Sequence, residues 1–195
     1  TSYLAPPIIA SVAAGANGVQ QSYNWTIPDN IGSSNIVKVF DVDNPTLVKD
    51  TSNGNFTIVG ALDITSPDGG QVWYYNESKP IQWTATGTIN PVKLEYSVDG
   101  GTTWTLITNS APGGTGAQSY NWTVANEKSE TSRIKVTDPA FPTVNNMSAA
   151  NFSLRPQITV PAPALGANLA VGGNGTITWT RSSTTKITFV NIKYD

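Results

Sequence analysis

The side chains with chemical potential in this chain are asparagine amides, a few aspartates and a set of aromatic rings. Asp41 and Asp43, with Asn44 beside them, could offer oxygen ligands to calcium. The equivalent stretch of a second, similar segment, Asp138-Pro139-Ala140-Phe141, keeps only one carboxylate. A turn capped by an aspartate accounts for both. No pair of carboxylates recurs, so the acid/base pair of a glycoside hydrolase has no support. Asn-x-Ser/Thr sequons stand at Asn24, Asn55, Asn76, Asn121, Asn146, Asn151 and Asn174, and these are the candidate glycan acceptors. Tyr74 and Tyr75 are adjacent on an expected strand and so face opposite ways. At least one of them is a candidate for stacking on a sugar.

Much other chemistry is closed. The 195 residues include no cysteine and no histidine. That removes thiolates, Cys/His metal sites, Ser-His-Asp triads and disulfides. No catalytic residue, cofactor site or metal site is expected, and the chain is read as non-enzymatic. Charged residues make up 12% and the net charge is −2, so there is no basic field to hold a phosphate backbone and no nucleic-acid partner is expected. In place of charge stand 17 Ser, 25 Thr, 18 Asn, 17 Gly and 13 Pro. This uncharged-polar, turn-rich composition fits a β-protein outside a cell. Leu4 to Ala16 is the longest apolar-leaning stretch, but Pro6 and Pro7 interrupt it and no basic residue flanks it. It is too short for a membrane span and poorly built for a signal peptide. Any export signal or anchor is expected outside these residues.

The elements that carry these residues are repeated. The string SYNWT occurs at Ser22–Thr26 and again at Ser119–Thr123. Downstream, Val37-Lys38-Val39 answers Ile134-Lys135-Val136, and Asn55-Phe56-Thr57-Ile58 answers Asn151-Phe152-Ser153-Leu154. Ile81-Gln82-Trp83-Thr84 answers Ile177-Thr178-Trp179-Thr180, and Val92–Tyr96 answers Val190–Tyr194. The unit is about 97 residues long. Its phase divides the chain into 1–61, the C-terminal part of one unit; 62–156, a complete unit; and 157–195, the N-terminal part of the next.

Within the unit, Val92, Leu94, Tyr96 and Val98 alternate with polar residues, as do Tyr120, Trp122 and Val124, and Ile81 and Trp83. This is the period of half-buried strands. Pro67-Asp68-Gly69-Gly70, Asp99-Gly100-Gly101 and Pro112-Gly113-Gly114 are turn signals between them. Short alternating strands at this density predict an all-β, antiparallel two-sheet sandwich. Aromatics in phase with the alternation, among them Trp83 and Trp122, are expected in its core. Alternation also points Asn24, Asn55, Asn121 and Asn151 to solvent.

The order of these pieces, from Ile64-Thr65-Ser66-Pro67-Asp68-Gly69-Gly70-Gln71-Val72-Trp73 through Tyr96–Trp104 to Asn151–Leu154, resembles an immunoglobulin-like tandem repeat of large secreted and surface proteins of bacteria and archaea. The opening is also similar to that of a Ser/Thr-rich cell-wall family of fungi. The third segment departs from it: Ile158-Thr159-Val160-Pro161 lacks Asp-Gly-Gly, and Leu169 stands where Trp73 would align. Ser97–Trp104 also resembles the Asp-box hairpin of sialidase propellers, but with one intact copy it is read as a structural turn. The immunoglobulin-like resemblance implies tandem β-sandwich repeats serving as spacers, adhesive stalks or structural modules. The expected function is therefore a structural repeat of an extracellular fibre or cell-surface appendage. The alternative is a spacer or carbohydrate-binding stalk of a large secreted enzyme or adhesin. The expected partners are copies of the chain itself, arranged head to tail or as a continuous repeat chain, and glycans. Because 1–61 and 157–195 are complementary in content, neighbouring copies are expected to share one core containing Trp25, Phe56, Trp179 and Tyr194.

Overall fold

A computed structural model describes residues 8–194; the first residues of segment 1–61 and the last of 157–195 lie outside the described residues. The described chain is all-β. It divides into two compact units between Val59 and Gly60.

In the second unit, β-strands alternate buried and exposed positions as the apolar period requires. We number strands through the whole chain, so this unit begins at β5 (Ala61–Ser66) and continues with β6 (Val72–Tyr74), β7 (Ser78–Ile89), β8 (Val92–Ser97), β9 (Thr105–Ala111) and β10 (Gly114–Thr123). Then follow β11 (Ser129–Thr137), β12 (Asn145–Met147), β13 (Phe152–Arg155), β14 (Ile158–Ala162) and β15 (Thr178–Arg181). One sheet has the order β10-β7-β5; another runs β6-β13-β11-β8-β9, with β12 also on β11. Neighbours are antiparallel except β6, which lies parallel to β13.

The inward residues of both sheets form one core. Ile81, Trp83, Ile89, Leu94, Ile134, Val136, Phe152 and Leu154 are at most 2% exposed. Burying such side chains contributes roughly 1.5–3 kcal/mol each. Trp122 of β10 touches Tyr96 of β8 and Trp73 of β6, with ring centroids 5.1 and 6.1 Å apart. The two sheets therefore face each other across shared aromatics, in a sandwich-like arrangement. Trp83 and Trp122 are both buried, as the alternation predicts.

The turn after β8 shows how local sequence shapes this unit. Gly100 and Gly101 take positive φ, 77° and 99°, where a side chain would be strained. Ser97 Oγ accepts from the Gly101 N–H at 2.9 Å, and Asp99 accepts from the Thr102 and Thr103 N–H groups at 3.0 and 2.9 Å.

In the first unit, β1 (Gly32–Asn35) pairs with β4 (Phe56–Ile58), and β2 (Lys38–Phe40) with β3 (Lys49–Thr51). Ile58 is the sole buried residue among the described residues of this unit. Ser22–Thr26 repeats part of β10 residue for residue, yet it belongs to no strand. Likewise Val190–Tyr194, matching most of β8, is in no strand, so among the described residues segment 157–195 forms only β14 and β15. A strand exists through its partner's hydrogen bonds, and alternation alone does not provide the partner.

The flanking pairs copy central ones. Gly32 pairs with Ile58 and Asn35 with Phe56, as Ser129 does with Leu154 and Ser132 with Phe152. Lys38, Val39 and Phe40 face Thr51, Asp50 and Lys49, as Lys135, Val136 and Thr137 face Met147, Asn146 and Asn145. Ile158, Thr159 and Ala162 face Arg181, Thr180 and Thr178, as Leu62, Asp63 and Ser66 face Ala85, Thr84 and Gln82. These pairs fall on the residues that the sequence correspondence aligns, including each irregularity in register.

Candidate functional site

The carboxylates singled out in the sequence hold turns. Asp41 Oδ1 accepts from the Asn44 N–H at 2.7 Å, and Asp138 Oδ1 from the Ala140 N–H at 2.8 Å. Asp99 is held by the Ser97 hydroxyl, then by the hydroxyl and N–H of Thr103 and the N–H of Thr102. These donors favour the ionised form and bring its pKa down to about 2. Its oxygens are thus engaged by its own turn. Tyr74 and Tyr75 are both half-buried; the Tyr74 N–H donates to Glu77 Oε2 and the Tyr75 N–H to the Arg155 carbonyl.

Asn24, Asn55, Asn76, Asn121 and Asn174 are exposed. Asn146 and Asn151 are half-buried and engaged: Asn146 Oδ1 accepts from the Ile64 N–H and Asn151 Oδ1 from Arg133 Nε, both at 2.9 Å. This corrects the outward expectation for Asn151. It precedes β13, and Arg133 on β11 reaches it; at the position matching Arg133 the first unit has Ile36, and Asn55 stays exposed.

Sequence reasoning missed one polar cluster. Glu95 on β8 lies 3.1 Å from Lys93 Nζ and 3.0 Å from Lys135 Nζ. Lys135 Nζ also sits 4.2 Å from the ring centroid of Trp104. Burial opposes ionisation of Glu95, but the two ammonium groups outweigh it and hold its carboxyl below the ordinary value. The spacing of Lys93 and Glu95 on one strand face was visible; Lys135 required the β8–β11 register.

The four core candidates at the flanks behave differently from their central counterparts. Trp25 and Phe56 meet edge to face, with centroids 6.0 Å apart at 81°. Both are half-buried. Trp179 is 42% exposed, whereas Trp83 at the matching place is fully enclosed, and Tyr194 is completely exposed. Leu165, Val171 and Phe189 of the C-terminal segment are also in water. Trp83 lies on a strand paired on both edges, in a sheet covered by a second one. Among the described residues β15 pairs only with β14, leaving one edge open.

An open strand edge beside exposed apolar side chains can bind a further strand. This makes the flanks the candidate site. No protein-family model matches the chain, and no curated protein is similar to it. No helix among the described residues is long and apolar enough to cross a membrane.

Proposed function

We propose that the chain is a non-catalytic structural segment of an extracellular fibre or cell-surface appendage, built from immunoglobulin-like repeats of about 97 residues. In this reading, a flank of the type 157–195 and a flank of the type 1–61 from neighbouring copies complete one sandwich. The observation that carries it is the duplication of strand registers: the first unit holds pairs equivalent to β11–β13 and β11–β12, and the C-terminal segment holds the equivalent of β5–β7. Each flank contains what the other lacks. Leaving these apolar residues in water is unfavourable at about 25 cal/mol per Å², so a partner that covers them is stabilised. A head-to-tail contact that does not close into a ring propagates as a filament; a continuous repeat chain would make the same contact within itself. The composition fits exposure: it is rich in uncharged polar residues, and five of its sequon asparagines are accessible.

Electron microscopy and sedimentation of the 195-residue chain test this. Regular filaments that grow with concentration are the expected result. Monodisperse single particles at every concentration would exclude self-completion and favour a spacer or stalk.

A further inference from the structure

We infer that residues 19–26 of one copy form the missing third strand beside β15 of a second copy, antiparallel and with Ser22 opposite Thr178. This inference rests on the head-to-tail reading above and names its contact. The central unit is the template. There β10 pairs with the edge of β7 opposite β5, setting Gln118 against Trp83, Ser119 against Gln82 and Tyr120 against Ile81. The pair β14–β15 reproduces β5–β7 at matching residues, and no strand occupies the second edge of β15 among the described residues. The missing occupant has the sequence of β10. Ser22–Thr26 repeats Ser119–Thr123 residue for residue and is in no strand.

Transferring the register sets Gln21 against Trp179, Ser22 against Thr178 and Tyr23 against Ile177. A slip by one residue would turn Trp25 to the solvent face, because strand side chains alternate. In register, Trp25 takes the place of Trp122, which packs against Trp73 and Tyr96. The matching residues at the junction are Leu169 and Tyr194, both exposed in the single chain. Phe56, already against Trp25, takes the place of Phe152, which touches Trp73. One strand thus supplies an edge with its hydrogen bonds and an aromatic cluster with its missing member. The occupant is a second copy of this chain, since both halves of the template are found in it.

The absence of cysteine allows a clean test. Ser22→Cys and Thr178→Cys are introduced together in the 195-residue chain, which is assembled, oxidised and run on a denaturing gel. Directly opposed strand residues can meet disulfide geometry, whereas diverging ones cannot. The expected result is a ladder of covalent oligomers that is lost when Thr178→Cys is replaced by Ile177→Cys or Trp179→Cys. Ser119→Cys with Gln82→Cys, opposed within the central sheet, should form its disulfide inside one chain and shows that the oxidation works. Filaments in the microscope with no ladder, or with ladders of equal strength in all three registers, would overturn the inference while leaving the fibre reading standing. A disulfide confined to single chains would also overturn it. Loss of filaments in the unmodified chain would remove both.

Discussion

Trp122 and Tyr96 pack with ring centroids 5.1 Å apart and planes inclined by 36°, one from each facing sheet. The contact joins β10 to β8 across the core, and Trp73 and Phe152 extend it into a cluster. At the flanks its counterparts are dispersed: Trp25 and Phe56 belong to one unit, Leu169 and Tyr194 to the other. The sandwich depends on aromatics that arrive from strands distant in sequence.

Removing a core ring is accordingly costly. Trp83→Ala and Trp122→Ala should each lower stability by about 3–5 kcal/mol, measured by denaturant unfolding. Trp83→Phe should cost clearly less, because it keeps most of the volume and removes an indole N–H that is buried without a hydrogen-bond partner. Equal losses for Trp83→Ala and Trp83→Phe would contradict this packing.

The Asp99 turn should be acid-sensitive. Its carboxyl, ordinarily near 3.8, is lowered to about 2 in the folded chain. The ionised form therefore stabilises the fold fully above the ordinary value, and the contribution fades as pH falls through about 2. Carboxyl carbon shifts followed by nuclear magnetic resonance should give a midpoint near 2. Asp99→Asn should flatten this part of the stability profile. A midpoint at the ordinary value would show that the turn's hydrogen bonds do not persist in solution.

Glycan attachment should follow exposure. In a host that modifies Asn-x-Ser/Thr, peptide mass mapping should find glycan among Asn24, Asn55, Asn76, Asn121 and Asn174. Asn146 and Asn151 should remain bare, since their side chains are engaged with Ile64 and Arg133. Heavy occupancy at Asn146 would count against the folded arrangement around β12.

The proposed junction departs from its template at the Glu95 cluster, where Asn191 replaces Lys93 and Lys193 replaces Glu95. Glu95 faces Lys135 across β8 and β11; the matching pair would be Lys193 facing Lys38. Like charges directly opposite are destabilising, and an opposite pair contributes about 0.2–1 kcal/mol. Lys193→Glu should therefore lower the concentration needed for assembly, and sedimentation would read the shift. An unchanged or raised threshold would argue against this register between Val190–Tyr194 and Val37–Phe40.

Which residues alternate, where the chain turns and which segments correspond are all legible in the order of the amino acids. Alternation placed Leu94, Tyr96, Trp83 and Trp122 inward, and Asp99-Gly100-Gly101 marked a turn, because these are properties of neighbouring residues. Which strands pair is set by the folded arrangement. It set β6 parallel to β13, brought Lys135 to Glu95, and tied Asn146 to the Ile64 backbone across 82 positions. The same five residues form part of a strand at Ser119–Thr123 and none at Ser22–Thr26. Local pattern specifies a side chain's face; a strand also requires hydrogen bonds from a second segment, and where that segment lies is settled by packing over the whole chain.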